Sequence, residues 1–216
     1  MYNSLVVAKH CNYVYIIHPF WLRTKRYYQH ILKYMEKYTK NWFKYIVGFV
    51  VCLLIRLIPF RPPNIEPILA TNMPFSKAYG PIAGFGFAFM SILLFDIITG
   101  HYGVWSYLVA GTYGMLGFVA YYFFRDRKPK VVDYVYFAIA GTIMFDAFTG
   151  LAIGPIFFHQ SFSEAFLGQI PFTLWHLLGN IGFAVTLSPA MYEFVIQNEN
   201  LESIRVISMF TNKKIS

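Results

Sequence analysis

Two aspartates, Asp96 and Asp146, are the residues of this sequence whose type and surroundings point most directly to chemistry. Both occur in the pattern Phe-Asp-x-x-Thr-Gly, at residues 95–100 and again fifty positions later at 145–150. We expect both copies to end a membrane-spanning helix in the same way, as parallel structural repeats do. A carboxylate there meets the negative end of the helix dipole and needs compensation. The aspartates are therefore candidates for binding a solute or a cation, the alternatives being that each caps its own turn or pairs with Arg56 or Arg61.

Polar and aromatic residues that follow these segments could border the same site. His101 and Trp105 come directly after the first copy, although the enrichment of aromatic residues at membrane interfaces explains a tryptophan equally well. His159 and Glu164 lie in a predicted outer loop over residues 151–168. They would form either part of a lid over a site or an ordinary solvated loop.

His176 and Asn180 place polar groups inside the last apolar stretch of the chain. Because they are four residues apart, they share one helix face, and that face should point toward other helices. They would either contact a ligand at the floor of a cavity or form an interhelical hydrogen bond, worth about 0.6 kcal/mol on average in a measured membrane protein.

The sequence contains no enzyme, cofactor or metal signature. A Walker loop, His-Glu-x-x-His and Gly-x-Ser-x-Gly are all absent, and Cys11 and Cys52 have no metal-ligand spacing. Asp96 and Asp146 would form a protease-like dyad only if they faced each other about 3 Å apart, whereas both are predicted at turns. We therefore expect neither an enzyme nor a cofactor.

Composition predicts an all-α integral membrane protein. The chain of 216 residues is 57% hydrophobic and 13% charged, against about 45–50% and about 25% for a soluble domain. Five apolar runs each approach the ~20 residues that cross a bilayer as a helix: 43–60, 81–99, 104–124, 131–149 and 170–187. These runs are apolar at consecutive positions, which excludes a transmembrane β-barrel.

The basic residues predict the orientation of these helices. A basic, tyrosine-rich leader over residues 1–42 and a cluster at 125–130 should both be cytoplasmic, which requires an even number of crossings between them. The fourth crossing must then be the short stretch Ile68 to Tyr79, which contains Pro74 and must be tilted, broken or shielded by protein. The net charge of +8 therefore reflects membrane orientation and does not indicate nucleic-acid binding.

The resulting topology has six membrane-spanning helices over residues 43–195, with both termini cytoplasmic. Residues 196–216 form a polar cytoplasmic tail. The outer face receives residues 61–66, the turn at 100–103 and the loop at 151–168, so most of the candidate site residues lie together there.

In the order of these features the chain resembles the substrate-binding S component of an energy-coupling-factor (ECF) vitamin transporter. A first span leads into Arg-Pro-Pro-Asn-Ile-Glu-Pro-Ile-Leu-Ala at 61–70, and the next long span closes on Phe-Asp-Ile-Ile-Thr-Gly at 95–100. A glycine-rich span at 104–124 and a last span that contains Pro171 and Asn180 complete the likeness, which covers about residues 45–195.

The resemblance implies a subunit of the plasma membrane that captures a vitamin-like solute near its outer surface. Loops that include the one after the first span cover the solute, so Asn64 joins the candidate binding residues. Delivery requires a membrane coupling subunit and two ATPases. The family docks its partner through small residues spaced four apart on the first helix, where this chain offers only Gly48 and Cys52.

The solute itself stays open at this stage, with riboflavin, thiamine, cobalamin and a queuosine precursor among the candidates. Two other functions also stay open. A structural or assembly protein would use the aspartates as turn caps, and a small ion-coupled carrier would use them for cation or proton coupling.

Overall fold

A computed structural model describes residues 41–60, 62 and 64–211, and these form helices and turns without a β-strand. Residues 1–40 of the basic leader, which was predicted over 1–42, lie outside the described residues, as do Arg61 and the lysines at 213 and 214. The cytoplasmic placement of the leader and of the tail therefore stays a prediction.

Seven α-helices follow one another along the described part of the chain: α1 (residues 41–56), α2 (Ile68–Tyr79), α3 (Pro81–Thr99), α4 (Val104–Phe124), α5 (Val131–Phe158), α6 (Phe162–Ala190) and α7 (Ser203–Thr211). A π-helical turn, Met191–Ile196, continues α6. Among the described residues, four helices are long and apolar enough to cross a membrane, namely α3, α4, α5 and α6 with its extension. Crossings by α1 and α2, and thus a total of six, stay predictions.

Helix α2 is short but unbroken, so the expectation of a break at Pro74 is wrong. The expectation of shielding is confirmed, because ten of its 12 residues are buried and it contacts α3, α4, α5 and α6. Surrounding helices thus accommodate a proline that removes one backbone hydrogen bond from the helix interior.

The expected loop over residues 151–168 is almost entirely helical, which corrects that prediction. Helix α5 ends at Phe158, the next residue His159 adopts φ = 52°, and α6 begins at Phe162. Glu164 lies in the first turn of α6 and not in a loop, and it forms a capping box with Ser161: Glu164 N donates to Ser161 Oγ over 3.3 Å. The cap starts a helix at a position where the sequence pattern suggested a turn.

The two Asp-x-x-Thr-Gly segments end differently, although their threonines behave alike. Thr99 Oγ1 and Thr149 Oγ1 each donate to the carbonyl oxygen four residues earlier, over 2.8 Å in both cases. Helix α3 then stops at Gly100, which has φ = 73°, whereas α5 continues through Gly150. The prediction that both copies end a helix is wrong for the second.

Glycines allow the helices of the bundle to approach closely. A Cβ atom on Gly117 of α4 would lie 2.4 Å from the carbonyl oxygen of Gly84 on α3, so the two backbones meet there. On α1, Gly48 packs against the ring of Phe75, and Cys52 is fully buried. The small-residue pair of the first helix therefore serves internal packing.

Lysines tie the helices together at the end of the bundle where α4 finishes. Lys77 Nζ donates to the carbonyl oxygens of Phe124 over 2.8 Å and of Arg127 over 2.7 Å, which satisfies acceptors at the C-terminus of α4. Lys44 Nζ donates to the carbonyl oxygen of Ile196 over 2.8 Å. Basic residues are thus concentrated at this end, which is the opposite end of α4 from Gly103 and Val104.

Candidate functional site

A cavity of about 480 Å³ lies at the end of the bundle where α3 finishes and α4 begins. Its volume is within the range of roughly 300–1,000 Å³ that is common for small-molecule sites. The aromatic side chains on its wall are Phe95, Trp105, Tyr113, Phe145 and Phe172. The polar ones are Arg56, Asn64, Glu66, Asp96, His101, Thr149, Gln160, Gln169 and His176. Every element from α1 to α6 except α2 contributes to the wall.

Of the seven residues that the sequence suggested, five line this cavity: Asn64, Asp96, His101, Trp105 and His176. The other two, Asp146 and Asn180, are buried behind the wall. A direct contact between the solute and any of the seven stays a prediction.

Asp96 is half-buried on the cavity wall, one turn before the C-terminus of α3. Its main-chain carbonyl oxygen accepts hydrogen bonds from the helix-ending residues, at 2.9 Å from His101 N. Among the described residues, its carboxylate has neither a hydrogen bond nor an ion-pair partner. Within the described residues the carboxylate therefore makes neither the turn cap nor a pair with Arg56, and a pair with Arg61 lies outside those residues.

Asp146 occupies the equivalent position in the second segment but is paired inside the protein. Its Oδ1 atom lies 2.7 Å from His176 Nδ1, and Nε2 of the same ring lies 3.0 Å from the Tyr113 hydroxyl oxygen. One buried hydrogen-bonded chain thus connects α5, α6 and α4. His176 and Tyr113 reach the cavity, whereas Asp146 supports them from behind.

Asn180 lies one helical turn farther along α6 and forms an interhelical hydrogen bond. Its Nδ2 atom donates to Thr142 Oγ1 of α5 over 2.7 Å. The interhelical role is thus the one seen in the structure, and the shared face of His176 and Asn180 points inward as expected.

Arg56 is a cavity residue that the sequence suggested only as a partner for the aspartates. The guanidinium donates to the Ser91 carbonyl oxygen over 2.6 Å and to Glu66 Oε1 over 3.4 Å, and it lies 3.9 Å from the centre of the Phe95 ring. An arginine inside an apolar helix is itself a functional signal. That signal could have placed Arg56 among the candidates from sequence alone.

Two glycines of α5 make room for glutamine side chains at the cavity wall. A Cβ atom on Gly150 would lie 1.7 Å from Gln169 Oε1, and one on Gly154 would lie 2.2 Å from Gln160 Oε1. Sequence reasoning missed both glutamines: Gln160 lies in the segment 151–168 that was expected to be a loop, and Gln169 directly follows it. The helical hairpin of α5 and α6 turns them toward the cavity.

The wall combines flat apolar surfaces with hydrogen-bonding groups, an arrangement that suits a planar, polar molecule. Within the described ranges, no group of three or more His, Cys, Asp or Glu side chains is placed to hold a metal ion. The chemistry available to these residues is recognition by stacking and hydrogen bonding.

Fold and site together define a multi-pass helical membrane protein with a cavity at one end of its helices. The family model for the ECF-type riboflavin transporter S component matches residues 45–193, which is more than half of the chain. The chain belongs to this family of plasma-membrane vitamin-uptake subunits, which are transport proteins and not enzymes. Comparison with curated proteins and with solved structures found no match.

Proposed function

We propose that this protein captures a riboflavin-type vitamin from the outer side of the plasma membrane and passes it on with the help of partner proteins. The observation that carries the proposal is the cavity of about 480 Å³, in which aromatic rings and hydrogen-bonding side chains face the same space. The family is named for the transport of riboflavin, whose ring system is flat and carries polar groups along its edges.

Flavin chemistry is well matched to the side chains of the wall. Phe95, Trp105 and Phe172 offer apolar faces against which a tricyclic ring can stack. Asp96 and Gln169 offer acceptors for the hydroxyl groups of a ribityl chain. The Asp96 carboxylate, which has no ion-pair partner among the described residues, supports a solute that is neutral or cationic at this point.

The distribution of charge supports an outward-facing cavity. The cavity lies beside the N-terminus of α4. The C-terminus of α4, at the other end of the bundle, is surrounded by Lys77, Arg125 and Arg127. Because basic residues are retained on the cytoplasmic side, the cavity would open to the outside.

Energy would come from other chains. The sequence carries no Walker motif, and its family implies a membrane coupling subunit and two ATPases. In this proposal, the chain binds its solute tightly but does not accumulate it alone.

Thermal unfolding of the purified protein with a panel of vitamins tests the capture function. Riboflavin at 100 times its dissociation constant should raise the free energy of unfolding by about 2.7 kcal/mol, whereas thiamine and cobalamin should not. Trp105→Ala should reduce this stabilisation. Thr186→Ala is the matched control, because Thr186 is exposed on α6 and bonds only its own helix, at the Gly182 carbonyl oxygen. Absence of stabilisation by every vitamin would favour a structural role.

Uptake into cells tests the energy source. Accumulation of labelled riboflavin should require co-expressed coupling and ATPase subunits and should survive an ionophore. Accumulation by the chain alone that an ionophore abolishes would instead identify an ion-coupled carrier, for which Asp96 would be the coupling group.

A further inference from the structure

We propose that Asp146, although it lies behind the cavity wall, fixes the direction of a hydrogen-bond chain so that Tyr113 presents only an acceptor to the solute. The site would then select a solute that offers an N–H or O–H donor at Tyr113. This inference rests on the proposed capture function and adds a positioning residue and a specificity-determining residue to it.

The hydrogen-bond chain consists of three side chains, each from a different helix. Asp146 of α5, His176 of α6 and Tyr113 of α4 are 1%, 2% and 3% exposed, so bulk water does not bridge or compete within the chain. The two links are 2.7 Å from Asp146 Oδ1 to His176 Nδ1 and 3.0 Å from His176 Nε2 to the Tyr113 oxygen. Both are normal hydrogen-bond lengths.

Proton counting sets the direction of these bonds. An ionised carboxylate can only accept, so the bond from Asp146 requires the proton of His176 to be on Nδ1. In a neutral imidazole, Nε2 is then an acceptor, and Tyr113 must donate its hydroxyl proton to it. A buried aspartate holds the histidine of a serine-protease triad in its tautomer in the same way.

Aromatic side chains flank His176. Edge-on contacts join it to Phe145 and Phe172, whose ring centres lie 5.6 and 6.0 Å away. Oδ2 of Asp146 has no hydrogen-bond partner in the described part of the chain, so the hydrogen bond of this carboxyl group there is the one from Oδ1 to His176.

The direction of the chain determines what the solute meets. Because Tyr113 donates its single hydroxyl proton to His176, only the lone pairs of its oxygen are left to accept a hydrogen bond from a solute in the cavity. The Asp96 carboxylate, on the same cavity wall, is also an acceptor only. Solutes that carry hydrogen-bond donors should therefore bind more tightly at this part of the wall. A methyl group or an acceptor in place of a donor should weaken binding.

Nitrogen NMR of the solute-free protein tests the direction of the chain without any ligand. The chain has six histidines, so ¹⁵N-histidine labelling with a His176→Gln variant assigns the signals of interest. We expect a protonated Nδ1 and an unprotonated Nε2 at neutral pH in the wild type, and loss of this pattern in Asp146→Asn. A protonated Nε2, or a doubly protonated ring, would overturn the inference.

Binding of donor-deleted flavins tests the consequence for selectivity. Riboflavin, 3-methylriboflavin, which lacks the ring N–H, and lumiflavin, which lacks the ribityl hydroxyls, are titrated by flavin fluorescence. Tyr113→Phe retains the buried ring, so it should fold, and it should reduce the preference for riboflavin over one of the two probes roughly 2- to 12-fold, the range for a neutral hydrogen bond. Thr186→Ala should leave both preferences unchanged.

The outcomes separate this inference from the proposed function. If riboflavin binds the wild type but Tyr113→Phe leaves both preferences unchanged, Tyr113 does not select a donor and the inference is overturned, while capture stands. If no flavin binds the wild type, the proposed function fails, and the NMR pattern still decides whether Asp146 directs the chain.

Discussion

Replacing each aspartate by asparagine should show that Asp96 and Asp146 have different roles, although their shared sequence pattern suggests the same role for both. The substitution nearly preserves shape and removes the charge. In Asp96→Asn, no existing hydrogen bond or ion pair among the described residues is lost, so the free energy of unfolding should change by less than about 0.5 kcal/mol. In Asp146→Asn, a buried charged hydrogen bond to His176 is lost, which should cost about 1 to 3 kcal/mol.

Solute binding should show the reverse order, with the larger effect in Asp96→Asn. A solute donor that reaches the Asp96 carboxylate forms a hydrogen bond to a charged group, worth about 1.5 to 3 kcal/mol, so Asp96→Asn should weaken binding roughly 10- to 150-fold. The partly exposed position of Asp96 places the expected value toward the lower end of this range. Asp146→Asn should act mainly through stability and through the choice among solutes.

Flavin fluorescence titration gives the dissociation constants, and thermal unfolding without ligand gives the stabilities. Both variants are measured beside the wild type in the same detergent. If Asp96→Asn binds riboflavin as tightly as the wild type but melts earlier, the carboxylate is structural and the reasoning from its missing partner is wrong.

Three further predictions concern packing, capping and topology. Gly117→Ala should destabilise the protein by about 1 to 3 kcal/mol in thermal unfolding, because the added Cβ meets the α3 backbone. Gly111→Ala is the control and should not destabilise it, because nothing lies within 4 Å of the added atom. Equal melting temperatures of the two variants would contradict the backbone contact. Lys77→Ala should cost about 1 to 2 kcal/mol, since it leaves carbonyl groups at the end of α4 unsatisfied, while the exposed Lys128 can be replaced by alanine without loss in the same assay. In intact cells, a Ser163→Cys probe should react with an impermeant reagent and a Lys128→Cys probe should not, and the opposite result would invert the topology.

The sequence by itself determined the class of the protein, because hydropathy and basic clusters are local properties. It also identified Asp96, His101 and Trp105, which follow one another along the chain at the end of one helix and the start of the next, so that their proximity required no knowledge of packing. The prediction that residues 151–168 form a loop failed because a capping box at Ser161 and contacts across the α5–α6 hairpin stabilise helix there.

Only the tertiary structure decided which side of each helix faces the cavity. In a soluble protein, the apolar stripe of a helix shows its inner face, but lipid is as apolar as the protein interior, so membrane helices carry no such stripe. Asp96 and Asp146 share one local pattern, yet helix packing brings the first to the cavity wall and buries the second behind His176. Tyr113 reaches the cavity for the same reason, through a helix rotation that the order of residues does not record.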